Sequence, residues 1–569
     1  MTIIGIDLGT TNSVVAVYSP EGAKILPNAL GQHLTPSVIS VDEDGQILVG
    51  EAAQQRMITH PQLTASVFKR YMGTNKTFLL GEHQFSPEDL SSFVLRALKE
   101  DAEAYLGTPV TEAVISVPAY FNDAQRKATK RAGQLAGLKV ERLINEPTAA
   151  AVAYGLHLEE PSTRFLVFDL GGGTFDVSIL ERFEDLMEVQ AVAGDNFLGG
   201  EDFTELLMQE FMIRQKEGIL DLEDPKLANL IRKQAEKAKH SLSRGKAADM
   251  EIVSVSNEEL LRCTITAERF ELLAKPLLAR LRQPMERAIR DAAIRPSDLD
   301  AIILVGGATR MPIITGFAAR LFGRLPSAHI DPDETVALGA AIQAGMKARD
   351  AALHDIVLTD VCPYTLGIGV SVENASGYFE SGHFSPIIDR NTVVPVSRTE
   401  SYSTIRESQK DMSIVVYQGE SRLTQNNIRL GEFSVKLPAS PKGEEVVEVR
   451  FTYDINGILE VEATVVSTGE QSRIVIEENP GQFSKEQIEQ RFKELSDIKI
   501  HPRDRMENRL LLARGERLYE ESLGSSREQI ASVLRQFEDI LRRQNDREIR
   551  KAAEHCKAWL DELERMTDF

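Results

Sequence analysis

The chain has 569 residues, of which 42% are hydrophobic and 27% are charged, values typical of folded domains rather than of a disordered chain. Its 65 basic and 86 acidic residues give a formal charge of -21, which disfavours nucleic acid and anionic lipid as main partners. A chain of this length predicts about three to four domains, so an enzyme with additional domains is the expected class.

The N-terminal segment lacks the basic region, long apolar run and cleavage site of an export signal. The three cysteines, Cys263, Cys362 and Cys556, lie far apart and have no CxxC or metal-ligand spacing. No apolar run approaches the roughly 18 residues that a membrane span needs. We therefore expect a cytoplasmic protein in a reducing compartment, with no nucleic-acid and no membrane partner.

The first predicted element is a strand in GIDLGTTNSVVAV, which starts at Gly5, and its pattern returns in VFDLGGGTFDVSI, which starts at Val167. In both segments an apolar strand reaches an aspartate, passes through a Gly/Thr turn and enters a second apolar strand. Glycine lets a backbone approach a ligand without a Cβ, so each turn can offer N–H groups to phosphate. The repeat predicts two similar β-hairpins, with Asp7 and Asp169 at matched positions.

A helix is predicted between Leu227 and Leu242, where apolar residues recur about every 3.6 positions. A third glycine turn, GGATR from Gly306, follows the apolar strand Ala301 to Val305 and precedes a predicted helix from about Pro312. A turn between a strand and a helix is typical of phosphate or ribose sites. These elements together favour two α/β lobes around one cleft.

The character of the sequence changes near His354. The short apolar segment from Asp355 to Val361 is predicted to be a linker that docks on another surface. Beyond it, apolar residues alternate with polar ones, which predicts strands with one buried and one solvated face. The buried set is Val447, Val449, Phe451, Tyr453, Ile455, Leu459, Val461, Ala463 and Val465, and the solvated set is Glu448, Arg450, Thr452, Asp454, Glu460, Glu462 and Thr464. With a turn signal at Asn456-Gly457, this is an antiparallel β domain.

From Phe483 the period becomes helical again. Apolar residues at spacings of three and four run from Ile530 to Leu541 and from Ile549 to Leu563, on either side of a polar break at Gln544. The tail is therefore predicted to form at least two helices that pack together.

These features resemble, in the same order and along nearly the whole chain, the seventy-kilodalton heat-shock (DnaK-type) chaperone family. The motifs that carry the resemblance are GIDLGTTNS from Gly5, INEPTAA from Ile144, DLGGGTFD from Asp169 and GGATR from Gly306. The resemblance implies a multidomain fold with an actin-like two-lobed α/β ATPase domain, an antiparallel β-sandwich domain and a short α-helical lid. ATP hydrolysis would control the binding and release of extended hydrophobic peptide segments of unfolded proteins.

By this resemblance the domains are residues 1–354 for the ATPase, 355–361 for the linker, 362–482 for the β domain and 483–569 for a truncated lid. The family's longer members carry an extra stretch between Lys69 and Glu146 and a longer tail, which this chain lacks. In these departures the chain resembles the divergent bacterial HscC branch of the family. A short lid would release peptide faster, and the altered surface leaves use of the family's common nucleotide-exchange factor open.

The resemblance also assigns catalytic roles. Lys69 would reach the γ-phosphate and orient the attacking water, Glu146, Asp169 and Asp176 would surround the metal and that water, and Thr174 would lie near the γ-phosphate. The residues expected around the phosphates are Gly9, Thr10, Thr11, Gly171, Gly172, Gly173 and Gly200. The residues expected around the base and ribose are Glu236, Lys239, Ser243, Gly306, Gly307, Arg310 and Asp333. The implied ligands are ATP or ADP and Mg²⁺, which Asp7 and Asp169 would hold largely through water, with K⁺ as a further candidate.

Two substitutions at the base site depart from the family pattern. Ala308 stands where the family usually has serine, and His240 stands where it more often has arginine. Both should loosen nucleotide affinity without abolishing it. In the β domain, Ile368, Tyr402, Ile405 and Met412 match the peptide-binding positions. Ile405 and Met412 are bulkier than usual, so a smaller pocket and a narrower range of clients are expected.

Coupling between the two activities is also implied. Val357, Leu358 and Asp360 would dock the linker in the ATP state, and exposed Arg142, Asn145, Thr148 and Asp360 would receive a J-domain co-chaperone. ATP should then weaken peptide binding, because two linked sites must influence each other reciprocally.

Three alternatives remain at this point. A sugar or acetate kinase shares the paired phosphate turns, but it would leave about the last two hundred residues without a role. A filament-forming actin-like protein would sediment with ATP. A regulatory relative would bind peptide and hydrolyse ATP poorly.

Overall fold

The computed structural model describes residues 2–155, 162–183, 186–215, 225–253, 260–327, 330–348, 357–454, 457–476, 502–522 and 524–567. Two compact units make up the chain. The first comprises Met1–Tyr364 with Arg390–Val393, and the second comprises Thr365–Asp389 with Val394–Phe569. Among the described helices, none combines the length and apolarity that a bilayer crossing requires.

The first unit alternates strands and helices. Its strands are β1 (Ile3–Asp7), β2 (Asn12–Ser19), β3 (Gly22–Ile25), β4 (Thr35–Pro36), β5 (Val38–Val41), β6 (Ile47–Val49), β7 (Thr64–Ser66), β8 (Phe78–Leu80), β9 (His83–Phe85), β10 (Glu112–Val117), β11 (Lys139–Asn145), β12 (Ser162–Leu170), β13 (Phe175–Phe183), β14 (Leu186–Asp195), β15 (Ala247–Val253), β16 (Leu260–Thr266), β17 (Ala301–Val305) and β18 (Val357–Val361). Its helices are α1 (Glu51–Thr59), α2 (Pro87–Leu106), α3 (Asp123–Leu135), α4 (Glu146–Gly155), α5 (Gly200–Arg214), α6 (Pro225–Leu242), α7 (Ala267–Asp291), α8 (Pro312–Phe322) and α9 (Thr335–Lys347). The predicted strand at Ala301 and the predicted helices near Leu227 and Pro312 are confirmed.

Two large mixed sheets organise this unit. One has the order β11-β10-β1-β2-β3, and the other contains β17-β12-β13-β14-β18. In each sheet the glycine hairpin is central: β1 pairs antiparallel with β2 and parallel with β10, while β12 pairs antiparallel with β13 and parallel with β17. Both faces of these strands are buried, and their sequences are correspondingly continuous in apolar residues. The predicted repeat of two similar hairpins is confirmed.

Helices α4 and α9 pack very closely. A Cβ added to Gly339 in α9 would lie 1.8 Å from the backbone oxygen of Ala149 in α4. Small residues, with Ala149, Ala150, Ala340 and Ala344 all buried, allow this approach. The close contact brings the N-terminal ends of α4, at Glu146, and of α9, at Thr335, to the part of the unit where the hairpin turns lie.

The described part of the linker segment, residues 357–361, forms strand β18. Within β18, Val357 and Leu358 pair in parallel with Leu186 and Met187 of β14. The prediction that this segment docks on another surface is confirmed for residues 357–361, whereas Asp355 and Ile356 lie outside the described residues.

The second unit is built from strands and then helices. The strands that follow in the chain are β19 (Leu366–Glu373), β20 (Phe379–Ile388), β21 (Val393–Val394), β22 (Val396–Ser403), β23 (Asp411–Gln418), β24 (Ile428–Lys436), β25 (Val446–Tyr453), β26 (Leu459–Val465) and β27 (Gln471–Ile476). Of these, β21 begins at Val393, the last residue of the first unit, and extends the sheet of β18. Two antiparallel sheets have the orders β20-β19-β23-β24 and β22-β25-β26-β27. The helices are α10 (Met506–Glu521), α11 (Gly524–Arg542) and α12 (Asp546–Thr567).

The alternating pattern is right for most positions and wrong for three. Val447, Val449 and Phe451 are fully buried, as predicted. Thr452 and Glu460, however, are also fully buried, and Asp454 is nearly so, although we expected them in water. Thr452 lies opposite Glu460 in the β25–β26 register, and its hydroxyl is hydrogen-bonded to that of Ser397 in β22. Asp454 Oδ1 accepts the Ile458 N–H in the hairpin turn. Ile455 and Asn456 lie outside the described residues.

The helical tail packs through the predicted apolar positions, since Ile530, Phe537, Ile549 and Leu560 form one buried cluster. The turn between α11 and α12 touches the sheet. Gln544, which is 5% exposed, accepts a hydrogen bond from the N–H of Thr399 at 3.3 Å and donates one to its C=O at 2.9 Å. Thr399 belongs to β22, the edge strand of its sheet. The Gln544 amide therefore bonds the backbone of Thr399 as a residue of a neighbouring strand would. The part of the predicted lid between 483 and 501 lies outside the described residues.

Candidate functional site

A cavity of about 690 Å³ in the first unit brings the predicted nucleotide residues together. Its lining includes Asp7, Gly9, Thr10, Thr11, Lys69, Glu146, Asp169, Gly171, Gly172, Thr174, Gly200, Glu236, Lys239, Ser243, Gly306, Gly307, Arg310 and Asp333. Gly173 and Asp176 do not line it. A volume of this size is in the range of small-molecule and cofactor pockets.

The first hairpin turn is tight at Gly9. An added Cβ there would lie 1.9 Å from the backbone oxygen of Asn12, so only glycine fits. The N–H of Gly9 donates to Ser13 Oγ at 3.1 Å, and the Gly9 C=O accepts from Ser37 Oγ at 2.8 Å. The Gly9 N–H therefore closes the turn in this structure. The roles of Gly9, Thr10 and Thr11 toward phosphate stay predictions.

The second turn is built in the same way. The Gly171 N–H closes it on the C=O of Thr174 at 3.1 Å. Gly173 is buried, and an added Cβ would lie 2.6 Å from Thr10 Oγ1. Arg70, the neighbour of Lys69, donates to the Gly173 C=O at 3.0 Å and pairs with Asp202 at 2.5 Å. Gly173 thus joins the two turns and holds their spacing.

A buried ion pair lies at the phosphate end of the cavity. Lys69 Nζ is 2.7 Å from Glu146 Oε1, and the two side chains are only 2% and 9% exposed. Glu146 starts α4, where the helix N-terminus favours a negative charge. Two residues 77 positions apart in sequence are therefore brought into contact, as the resemblance implied for their common role.

Three aspartates surround this pair. Asp7 Oδ1 accepts from Ser116 Oγ at 2.7 Å, and Asp176 Oδ1 accepts the N–H of Tyr120 at 3.0 Å. Burial, followed by the negative charge of Glu146, raises the pKa of Asp7 to about 7 and that of Asp176 to about 8. The same two causes raise the pKa of Asp169 well above its usual range. The protein alone supplies too little positive charge for these carboxylates.

This surplus of negative charge fits a cation. Asp169 Oδ2 and Asp176 Oδ2 are buried without a hydrogen-bond partner. Within the described ranges, however, no three His, Cys, Asp or Glu side chains converge closely enough to ligate a metal ion directly. The residues therefore fit Mg²⁺ that keeps several of its own waters, which is the mode this ion prefers.

The opposite end of the cavity is set by α6. Glu236 accepts from Thr204 Oγ1 at 2.5 Å, pairs with Lys239 at 2.7 Å and contacts His240 Nε2 at 3.0 Å. Burial alone would raise the pKa of Glu236, but these hydrogen bonds and charges outweigh it and lower the pKa to about 2. Ser243 follows the last residue of α6 and donates to the Lys239 C=O. The predicted common face of Glu236, Lys239 and Ser243 is confirmed.

The third glycine turn closes the cavity from the other side. Gly306 has φ +83°, which favours glycine, and an added Cβ on Gly307 would lie 2.6 Å from Asp333 Oδ1. Arg310 holds Asp333 through two hydrogen bonds of 2.7 and 2.9 Å and pairs with Asp331. Sequence reasoning missed several lining residues, namely Asn12, Val14, Leu34, Arg244, Met311, Pro332 and Val336. Four of these, Asn12, Arg244, Met311 and Pro332, had a usable signal, because each is directly next to a predicted site residue in the sequence.

The predicted coupling residues meet at β11 and β18. Asn145 Nδ2 donates to both carboxylate oxygens of Asp360, at 3.1 and 2.9 Å, and Arg126 donates to Asn145 Oδ1 at 2.6 Å. Burial raises the pKa of Asp360, against the opposing charge of Arg142. The exposure that we expected for these residues is wrong: Asn145 is 4% and Thr148 is 0% exposed, and Arg142 and Asp360 are half-buried. The side chains of Val357 and Leu358 lie outside the described residues.

The predicted peptide residues lie in the second unit as two pairs. Ile368 of β19 is opposite Ser385, whose hydroxyl is 3.0 Å from that of Tyr402 in β22, so Ile368 and Tyr402 are neighbours. Burial raises the pKa of Tyr402 to about 12. The Ile405 N–H donates to Gln409, which in turn donates to the C=O of Asp411, the residue before Met412.

These four residues differ in exposure. Ile368 is 2% exposed and is a core residue here, while Tyr402, Ile405 and Met412 are half-buried. The half-buried residues can contact a ligand without a change in packing.

Comparison with known proteins gives a consistent result. A family model described as Hsp70 protein matches residues 3–80 and 76–568. The chain is 46% identical over 487 residues to the chaperone protein DnaK of Thermotoga maritima, a match that covers 83% of this chain and 80% of that protein. The chaperone protein DnaK of Thermosipho melanesiensis is 43% identical over 486 residues, with 83% and 80% covered. The family match spans both hairpin turns, the buried ion pair and the linker strand.

Proposed function

The chain belongs to the Hsp70 family and is an ATP-dependent molecular chaperone with ATPase activity, and from that premise we propose which of its residues carry each step. The observation that supports this best is the buried Lys69–Glu146 pair between two glycine turns in one cavity. ATP would lie there with its phosphates against the two turns and its base against α6.

Hydrolysis transfers the γ-phosphoryl group to water, and the protein acts mainly by positioning and by electrostatic stabilisation. Lys69 donates to the γ-phosphate and to the attacking water, and its charge opposes the charge that develops on the phosphate. Glu146 holds the Lys69 ammonium in place and, with Asp176, accepts hydrogen bonds from that water. Thr174 donates its hydroxyl to a phosphate oxygen.

Mg²⁺ would be held by Asp7 and Asp169 through its waters. Bound there, it would neutralise phosphate charge, the chemistry that Mg²⁺ supplies in phosphoryl transfer. The raised pKa values of these carboxylates favour protonation in the cation-free protein, so bound cation and protons compete. At the other end, Glu236 and Lys239 would contact the base and ribose, and Arg310 would cover the base.

We assign the domains as residues 1–354, 355–361, 362–482 and 483–569, with an actin-like ATPase first, a β-sandwich that binds client peptide next and a helical lid last. Family membership supports client peptides and co-chaperones as partners. A J-domain protein is the proposed co-chaperone. Use of an exchange factor, assignment to the HscC branch and a cytoplasmic location stay predictions.

The linker is proposed to couple the two activities. Its Asp360 accepts two hydrogen bonds from Asn145, and Asn145 directly precedes Glu146 of the catalytic pair. A movement of Asp360 that displaces Asn145 can therefore also displace Glu146, because one peptide bond joins Asn145 and Glu146. Steady-state phosphate release from the purified chain, with and without an extended hydrophobic peptide, tests this proposal.

Replacing Asp360 with alanine should uncouple the two activities. We expect peptide to accelerate phosphate release about fivefold or more in the parent and less than about twofold in Asp360→Ala, because coupling energies between linked sites are typically 1–3 kcal/mol. Asp44→Ala, at an exposed turn, is the matched control and should respond like the parent. Equal stimulation of Asp360→Ala and Asp44→Ala would contradict the assigned role. A parent without any peptide response would contradict the coupling itself.

Shortening a proposed pocket residue should widen client choice. Met412→Ala shortens a half-buried side chain of the proposed pocket. We expect affinity for peptides with a large central side chain to rise about threefold or more, since an added buried methylene contributes about 0.8 kcal/mol. Peptide titration by fluorescence anisotropy measures the change. Ile428→Ala, an exposed isoleucine of the same sheet, is the control. Unchanged selectivity of Met412→Ala would remove this residue from the pocket.

A kinase would instead phosphorylate a small acceptor. Phosphate release with no acceptor present separates the two activities, and the family match across the second unit favours the chaperone.

A further inference from the structure

The segment just after the linker contacts the catalytic region through one side chain. Tyr364 is the last residue of the first unit before the chain enters the second at Thr365. Its hydroxyl donates to the backbone C=O of Tyr120 at 2.6 Å. The two rings also pack together, with centroids 4.6 Å apart and an interplanar angle of 43°. Two independent contacts therefore fix Tyr364 against Tyr120.

Tyr120 is in turn bonded to a catalytic carboxylate. Its N–H donates to Asp176 Oδ1 at 3.0 Å. The N–H and C=O groups of one residue flank the same Cα, so a bond to the C=O restricts the two backbone torsions that aim the N–H. The Tyr364 hydroxyl and Asp176 are thus both hydrogen-bonded to the backbone of one residue, Tyr120.

Close packing around this contact leaves little room for independent movement. A Cβ added to Gly194 of β14 would lie 2.8 Å from Asp176 Oδ1 and 3.0 Å from Tyr120 Cβ. Asn196 Nδ2 also donates to the Tyr120 C=O at 2.8 Å, and Arg287 donates to the Tyr120 hydroxyl at 2.8 Å. Dense interiors transmit displacements to their neighbours. A shift of Tyr120 must therefore change the position of Asp176.

We infer that Tyr364 is a positioning residue for ATP hydrolysis: through the backbone of Tyr120 it sets the orientation of Asp176, so that the first residues beyond the linker control the catalytic rate. This inference rests on the proposed role of Asp176. It adds a route to the one through Asp360, because Tyr364 bonds the backbone of Tyr120, whereas Asp360 bonds the side chain of Asn145.

The chemistry of the contact suits a reversible control. A neutral hydrogen bond contributes only about 0.5–1.5 kcal/mol, which corresponds to about twofold to tenfold in a rate. Such a bond can break and form when the covalently attached second unit binds or releases its ligand. The remaining contacts of Tyr120, from Asn196 and Arg287, keep the loop folded when the Tyr364 bond is absent.

The test compares Tyr364→Phe with the parent in the full chain. Phenylalanine keeps the ring contact with Tyr120 and removes only the hydroxyl. Tyr105→Phe is the matched control, because it also removes a hydroxyl with a 2.6 Å bond, to exposed Lys24. The measurements are the single-turnover rate of hydrolysis of prebound Mg-ATP, the dissociation constant of ATP and the acceleration by hydrophobic peptide. A thermal melt establishes that each variant is folded.

We expect hydrolysis by Tyr364→Phe to slow about threefold to tenfold, with the dissociation constant of ATP within about twofold of the parent and a weaker peptide response. Tyr105→Phe should match the parent in all three. A Tyr364→Phe rate equal to that of Tyr105→Phe would overturn the inference and leave the proposed function intact. An equal loss of ATP affinity would also overturn it, because the residue would then support the fold and not the rate. A parent that hydrolyses no ATP would overturn both proposals.

Discussion

Replacing Lys69 with alanine should lower the rate of ATP hydrolysis by about 10²- to 10³-fold, the usual effect of removing one preorganised electrostatic group. Lys69 is 2% exposed and contacts Glu146 at 2.7 Å, and the carboxylates of Asp7, Asp169 and Asp176 surround this pair. Its ammonium is the cation that we propose to lie at the γ-phosphate, so alanine removes that charge from the reacting group. Single-turnover phosphate release at saturating Mg-ATP measures the loss.

Binding of ATP should survive this substitution, since the turns and α6 supply most contacts. Lys69→Met, which keeps the volume of the stem, separates loss of charge from loss of packing, because breaking a buried ion pair can itself cost about 3–5 kcal/mol of stability. Lys24→Ala, an exposed lysine of β3, is the matched control. A rate within threefold of the parent in both Lys69 variants would remove this residue from the mechanism.

Gly9→Ala should be nearly as damaging, for a steric reason. The added Cβ would lie 1.9 Å from the backbone oxygen of Asn12, in the turn that we propose to hold the phosphates. The turn must open, and a displacement of about 1 Å at a reacting centre can cost about 10²-fold in rate. Both the affinity for ATP and the rate of hydrolysis should therefore fall, as measured by equilibrium binding and phosphate release.

Gly316→Ala makes the same chemical change in helix α8, where the nearest atom to an added Cβ is the flexible end of Arg320 at 3.5 Å. Alanine is favoured over glycine within a helix, so this control should keep full activity and gain some stability. Full activity of Gly9→Ala would show that the turn adapts and does not position the phosphates.

The parts of the site that could be predicted from sequence are those encoded locally. Each glycine turn is specified within about ten residues by strand, aspartate and glycine, and the structure brings both turns, with Lys69 and Glu146, into one cavity. The helix face of Glu236 and Lys239 likewise follows from a spacing of three.

Other features depend on packing between distant segments, which no local pattern reports. The burial of Thr452 and Glu460 reverses their predicted exposure, because Ser397 of β22 and Arg473 of β27 lie against them. The hydrogen bond from the Gly9 N–H to Ser13 Oγ depends on how the chain folds back at this turn. The contact of Tyr364 with Tyr120 joins residues 244 positions apart. Such contacts become visible only when the chain has folded.

The glutamine that pairs with the edge strand β22 has a consequence for self-association. A free strand edge is a template on which a second chain can add by backbone hydrogen bonds. A protein that binds extended polypeptides meets such chains constantly, including other copies of itself before they finish folding. The Gln544 amide bonds both the N–H and the C=O of Thr399. An added strand therefore cannot pair with this residue, although the strand itself stays regular. We therefore expect the helical tail to reduce the addition of a second copy of the protein at this strand edge.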